Sequence, residues 1–493
     1  MYGLLLFELL SRVQYIDPFY GPNSTHRPSL LTGTVDSPFY YASFLHVYAS
    51  MSTILIQSLF AFHVLLAFLT FLSPTPLKCF LTWFLFLSLT LRNTWLNYIL
   101  DRYFHYFLAV SIFTSSTSAP LRNVGIYASR LQLLWLYIDA GMGKVLDPLN
   151  GWTTTPLQIP NSPIPILPAL DSYTRHTLSA RIIYTLLTPT GLKYLTPIVA
   201  YAEVVLPVIS IFSCFFERLK NVQILSTVLV MGLHIGIGLT INNTALLSLV
   251  ACTSLILLLP ISSPSPPSQL SKPGLLIATL ILTSCVYFET TELALCSQDT
   301  SLWPTLLHNR WNVFTSSETY VTWEIAPGVL SDNSVVDVWG KGEVSYELPG
   351  AGAASTSTPR RGRWRSFPYL KEMDSEFEKR ALWNYLCRQW NEEHPDPNSQ
   401  LLKFNFFMLQ ADVLPELSFG ETRKRHIISW DCVTSQEIPS DESSSPQPPT
   451  FMNTNQAPMR ARENLNKIHQ NSIHPNKIRS RVGGIQGKAN EEL

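Results

Sequence analysis

Long apolar runs, separated by short polar or proline-rich breaks, fill the first three-fifths of the chain. Residues 44–72 form the longest early run, and "SPTP" stops it. Residues 77–91 follow and end at Arg92; residues 103–113, extendable back to Ile99, are short and aromatic. Residues 124–146 are apolar again. The next stretch, "DPLNGWTTTPLQIPNSPIPILPALDSYTRH", has too many prolines for a helix interior and reads as a loop. Runs at 192–215, 222–240, 245–260 and 273–288 come next, with 222–260 shaped like a hairpin of two helices. With the apolar start at 1–13, the pattern predicts about nine membrane helices, since a span needs about 20 apolar residues. Residues 1–13 are too short for a full span and carry neither a basic start nor a small-residue cleavage site. They read as the second half of a helix whose beginning lies before Met1.

The pattern changes after residue 300. "NVFTSSETYVTWEIAPG" and "SVVDVWGKGEVSYELPG" alternate apolar with polar residues and are rich in β-branched and aromatic side chains. They predict a short β-hairpin or meander. "AGAASTSTPRRG" reads as a linker. Residues 377–391 place Leu382, Tyr385, Leu386 and Trp390 at helical spacing. Residues 401–410 read as a second helix. From Glu437 onward the chain is Ser, Pro, Asn, Gln and basic residues, with few core formers. The expected organisation is an all-α multi-pass membrane bundle over 1–290, a small α/β extramembrane domain over 300–432, and a disordered C-terminal tail over 433–493.

Composition agrees with the bundle. Of 493 residues, 46% are hydrophobic and 14% charged, against about 25% charged in a soluble domain. The formal net charge is +0, so no strong field points to nucleic acid. Loop lysines and arginines are spread over both sides and fix no orientation. Asn23-Ser24-Thr25 is a glycosylation sequon, which with nine spans falls on the same side as the C-terminal domain. Seven cysteines include no CxxC; Cys79, Cys214, Cys252 and Cys285 lie in apolar runs. Of the others, a Cys296–Cys387 bridge is open to the chain if that side is oxidising.

Candidate chemistry concentrates in "LWLYIDAGMGKVLDPLNGW", where Asp139 and Lys144 interrupt an apolar run. An ionised side chain near the middle of a membrane costs at least about 2.5–3.5 kcal/mol, so such groups turn towards a cavity or each other. Five residues on a helix separate the two by roughly 140°, so they do not simply pair. Asp139 is expected to face inward. Lys144 reads two ways: a side chain that snorkels to the interface, or a buried amine able to act as a base. Glu203 in "PIVAYAEVVLPVIS" and His234 in "MGLHIGIGL" sit on neighbouring spans. Both are substrate-binding candidates alongside Asp139, with Lys144 the catalytic one. A lone membrane histidine is more often a hydrogen-bonded packing residue. Ala140, Gly141 and Gly143 also have a packing explanation, because small residues let membrane helices approach. "GMGK" is no phosphate loop, there is no GxSxG, and no histidine pair in the spans has metal-ligand spacing. Arg92 and Asp101-Arg102 read as interfacial. The basic-aromatic stretch at 360–365 reads as a solvated domain edge, with lipid head groups or RNA as the sharper alternatives.

Taken in order, "LLLFELLSRV", "FYGPNS", "SLTLRNTWLNYILDRYFHYFLAVSIF", "SRLQLLWLYIDAGMGKVLDPLNGW", "AEVVLPVIS" and "LHIGIGLTI" resemble the HTTM (horizontally transferred transmembrane) family. Its members are related to vitamin K-dependent γ-carboxylase. The resemblance covers residues 1–290. It implies a helical bundle with a lumenal or extracytoplasmic domain in a multi-pass protein of the endoplasmic reticulum. In the carboxylase, a lysine pair follows an Ala-Gly in this segment. The second lysine is the base that deprotonates reduced vitamin K; oxygenation then gives a strong base that removes a glutamate γ-proton, and carbon dioxide adds. Ala140 and Gly141 match the Ala-Gly, and Lys144 matches the second lysine; Gly143 stands where the first would be. The resemblance thus implies a carboxylase-like lyase using a reduced vitamin K-type quinol and a protein substrate. "GRWRSFPYL…ALWNYLCRQWN…FNFFML" resembles the end of non-carboxylase members, and no large propeptide-binding domain is recognisable. That implies the other reading, a non-enzymatic membrane scaffold or lipid carrier whose partner is membrane lipid.

Overall fold

A computed structural model describes residues 1–22, 24–25, 47–48, 52–93, 96, 99–146, 150–153, 166–175, 180–241, 244–260, 280, 314, 317–348, 363–364 and 376–439. The expected span at 273–288 apart from Leu280, the linker at 351–362, the sequon residue Asn23, Cys285, Cys296 and the tail from residue 440 lie outside the described residues.

Helices form where the apolar runs are, and local chemistry sets their ends. α1 is Tyr2–Arg12. α2, Thr53–Leu72, starts at Ser52, whose hydroxyl accepts from the Leu55 amide. α3, Pro76–Arg92, starts at Thr75, whose hydroxyl accepts from the Lys78 amide, with Pro76 opening the first turn. α4 is Ile99–Thr114 and α5 is Ala119–Val145. The short α6, Ala169–Thr174, precedes α7, Ala180–Ser213, which breaks at Thr188 (φ 57°, ψ 163°) just before Pro189. α8 is Lys220–Thr240, and α9, Ala245–Leu255, continues as a 3-10 turn to Leu258. The connections α2–α3, α4–α5, α7–α8 and α8–α9 are short. Each therefore joins antiparallel neighbours, and consecutive helices pack on one another.

Among the described residues, three helical stretches, Thr53–Leu72, Ile182–Ser213 and Glu217–Thr240, are long and apolar enough to cross a membrane. Their exposed sides carry side chains such as Phe62, Leu186, Phe212, Leu225 and Leu239, a surface suited to lipid rather than water. The other expected spans are shorter or, like α5, interrupted by charge.

The second layer is a six-stranded antiparallel sheet centred on β4. β1 is Tyr320–Ile325, β2 Pro327–Leu330, β3 Val335–Asp337, β4 Leu401–Asp412, β5 Arg423–Asp431 and β6 Gln436–Glu437. The expected hairpin is β2–β3, with Val329 opposite Val335. β1 pairs instead with the second half of β4, Ile325 facing Phe407, while β2 pairs with its first half, Gly328 facing Phe404. The expected helix at 401–410 is therefore a strand. Phe404, Phe406 and Met408 are buried at period two with Asn405 exposed between them. Where both faces are covered, residues 408–411 are buried continuously, which blurs the alternation. α10, Glu376–Glu393, brings Trp383 and Tyr385 to the sheet, where Trp383 meets Phe404 and Phe406. A disulfide joins Cys387 on α10 to Cys432 after β5. The bridge to Cys296 open in the sequence is excluded, because Cys387 is already bonded. Met1–Ile438 packs as one unit.

Candidate functional site

On α5, Tyr137, Ala140, Gly141 and Lys144 are spaced i, i+3, i+4, i+7 and share one face. All four are buried. A Cβ on Gly141 would overlap the Val204 side chain on α7, so the two helix backbones lie against each other there. That approach brings Glu203, next to Val204, onto Lys144: Nζ stands 2.8 Å from Oε2. Lys144 Nζ also donates to the Ala140 carbonyl at 3.2 Å. Lys144 is 3% exposed and Glu203 8%. The lysine thus turns inward to a carboxylate and does not snorkel.

The end of α5 is closed by a short turn. The Asn150 side chain donates to the carbonyls of Lys144 (2.7 Å) and Gly143 (3.3 Å), and its amide oxygen accepts from the Trp152 amide at 2.8 Å. Gly151 takes φ +79°, where a Cβ would also stand 2.6 Å from the Leu167 carbonyl; only glycine fits. Trp152 then lies over the amine, its ring centroid 5.5 Å from Lys144 Nζ. The Trp152 indole donates to the Phe314 carbonyl at 2.6 Å. The Ser317 amide donates to Asn150 O at 2.7 Å, and the Glu318 amide to Ser172 Oγ at 3.0 Å. The chain leading into β1 therefore holds the cover in place.

Deeper along the same face, Tyr137 Oη and His234 Nε2 are 2.5 Å apart. The charges of Glu203 and Lys144 both act on the His234 ring. Lys144 and Glu203 are thus in direct contact, and His234 is bonded to Tyr137 on the same face of α5. Asp139, half-buried, points roughly 140° away from Lys144 around α5 and does not join the Lys144–Glu203 pair.

A second buried charge cluster joins α1, α4 and Arg363. Arg12 binds Glu8 (Nε–Oε1 3.0 Å) and Asp101. Arg363 binds Glu8 at 2.6 Å, Asp101 at 2.9 Å and the Leu96 carbonyl at 2.5 Å. All four side chains are buried. Trp364 packs on Phe19, Trp339 and Tyr385. Arg363 and Trp364 are therefore interior residues and not a solvated edge; Arg360, Arg361 and Arg365 lie outside the described residues. Asp101 and Arg92 are also buried within the protein. Arg92, 1% exposed, donates to the Gly21 carbonyl and Ser24 Oγ. Arg12 and Asp101 inside apolar runs were a readable signal. Nothing in the sequence pointed from them to Arg363, or from Lys144 to Trp152 and Asn150.

A third contact fixes α6 to the sheet domain. Arg175 binds Asp171 at 2.9 Å and donates to the carbonyls of Leu414 and Ser418 in the β4–β5 turn.

No protein-family model, no curated protein and no solved structure matches this chain.

Proposed function

We propose that this chain is a multi-pass membrane protein of about nine spans, of the HTTM type, and that Lys144 and Glu203 are a proton-handling pair acting on the acidic hydroxyl of an amphiphile such as a reduced vitamin K-type quinol. The observation that supports it is the 2.8 Å ion pair held in the bundle under Trp152. An interfacial anchor needs neither a buried carboxylate nor a cover.

The residues present suit such a group. Trp152 offers aromatic surface beside the amine, and the Lys144–Glu203 pair offers a base and an acid next to it. When bound, a quinol supplies an acidic hydroxyl and reducing equivalents. The chain's part is proton transfer. As an ammonium, Lys144 has no lone pair. Passing one proton to Glu203 leaves a neutral amine and a neutral acid, which a water-poor site favours more than water does. The amine then takes the hydroxyl proton and, as an ammonium again, remains beside the new negative charge.

The test uses membranes holding the full chain, reduced vitamin K and labelled carbon dioxide. Wild type is expected to incorporate label, and Lys144→Ala or Glu203→Gln to lose at least about a hundredfold, the scale of one general base. Incorporation that survives Lys144→Ala ends the base role. A second reading, a non-enzymatic scaffold or lipid carrier, is favoured by one observation: Glu203, the Ala140 carbonyl and Trp152 already surround the amine. No incorporation by folded wild type would select it.

A further inference from the structure

The hydrogen bond between Tyr137 and His234 has no place in the proton transfer above, yet it lies along the same face of α5. Tyr137 is 0% exposed and seven residues before Lys144, two helical turns deeper in the bundle. Its hydroxyl meets His234 Nε2 at 2.5 Å, and the two rings are 5.6 Å apart. The helix α8 that carries His234 packs on α7, which carries Glu203, and Tyr137 shares the α5 face of Lys144. Four groups act on this pair: Glu203 of α7 on both rings, Lys144 of α5 on His234, and Tyr103 of α4 and Cys252 of α9 on Tyr137. The imidazole is therefore a protonatable group within electrostatic reach of Glu203, on the helix packed against α7.

A pair that transfers one proton per cycle has to be reset. After Lys144 has taken a hydroxyl proton, both the amine and Glu203 are protonated, and Trp152 with Asn150 closes the shorter way out. We propose that His234 is the proton carrier that resets the Lys144–Glu203 pair, with Tyr137 the positioning residue that fixes its ring. This rests on the proton-handling reading of that pair. In the neutral ring Nε2–H donates to the Tyr137 oxygen, and Nδ1 keeps its lone pair. Glu203 gives its proton to Nδ1, leaving a carboxylate and an imidazolium; the imidazolium later releases one proton and returns to neutral. One proton moves at each step and no redox partner is needed. A phenylalanine at 137 keeps the packing but leaves Nε2 without its acceptor, so the ring is free to turn.

The experiment is a titration of the full chain in proteoliposomes, without quinol. Difference infrared spectra against Glu203→Gln follow the Glu203 carboxyl, and nitrogen-15 histidine resonances follow His234. A shared proton makes each group report on the other. His234→Gln is expected to shift the Glu203 midpoint by one pH unit or more, about tenfold in proton affinity. Glu203→Gln is expected to shift the His234 midpoint by a similar amount, which keeps the test available if one variant fails to fold. Tyr137→Phe is expected to broaden the His234 signal and shrink that coupling. Midpoints that do not respond to each other overturn the relay, even where carbon dioxide incorporation persists. Coupled midpoints without incorporation leave the relay standing and overturn only the carboxylase-like activity.

Discussion

Lys144 gains its position from what flanks it. Gly141 lets α7 close on α5, and Asn150 and Gly151 bend the chain so that Trp152 covers the amine. The sequence made Lys144 and Glu203 conspicuous, because charges in apolar runs are costly. It did not show that they are partners, since the contact crosses between helices nearly sixty positions apart in the chain. Their mutual dependence is measurable. Removing one member of a buried ion pair strands the other and typically costs about 3–5 kcal/mol, whereas replacing both is often nearly neutral. Lys144→Met alone is therefore expected to lower the detergent-solubilised melting temperature sharply. Lys144→Met with Glu203→Gln is expected to recover most of that loss. Equal losses in the single and double variants would show that the two side chains are not coupled.

At the scale of elements, the apolar runs located α3, α4, α5, α8 and α9 to within a few residues and the end of α2, whose start at Thr53 lies well inside the expected run, because a run of that length has few ways to satisfy its backbone except as a helix. The 401–410 stretch misled for a related reason. A strand buried on both faces loses its alternation, and only pairing with β1, β2 and β5 reveals it. The tie between layers was not legible at all. Arg363, far along the chain, completes a two-plus, two-minus cluster with Arg12, Glu8 and Asp101 on α1 and α4. Arg363→Gln leaves two buried carboxylates sharing one guanidinium. It is expected to loosen the 363–364 segment from the bundle, read as faster proteolysis after the adjacent arginines and a stability loss of about 3–5 kcal/mol. Adding Glu8→Gln rebalances the charge and is expected to restore resistance at least in part. Unchanged proteolysis in Arg363→Gln would show that the cluster does not hold the layers together.

For the whole molecule, the reading proposed above makes the two ends of the bundle chemically different. The ends of α1 and α5 and the start of α4 meet the segments that lead into the sheet domain, through Glu8, Trp152 and Asp101. That domain carries the Cys387–Cys432 disulfide, which persists in oxidising compartments and is reduced in the cytosol. The opposite end presents the α4–α5 and α7–α8 connections, where Arg122, Arg218 and Lys220 are exposed and Glu217 is the acidic neighbour. Basic residues in short loops stay on the cytosolic side. Those two observations come from different parts of the chain and select the same orientation, which loop counting from sequence alone did not. A cysteine at the exposed Thr117, in the α4–α5 turn, is therefore expected to react with a membrane-impermeant maleimide in sealed, cytosol-side-out microsomes. A cysteine at the exposed Ser334, in the β2–β3 turn, is expected to react only after the vesicles are permeabilised. Cys387 and Cys432 should need reduction as well. Labelling of the Ser334 position in intact vesicles, with the Thr117 position protected, would invert the orientation and place the covered end of Lys144 on the reducing side.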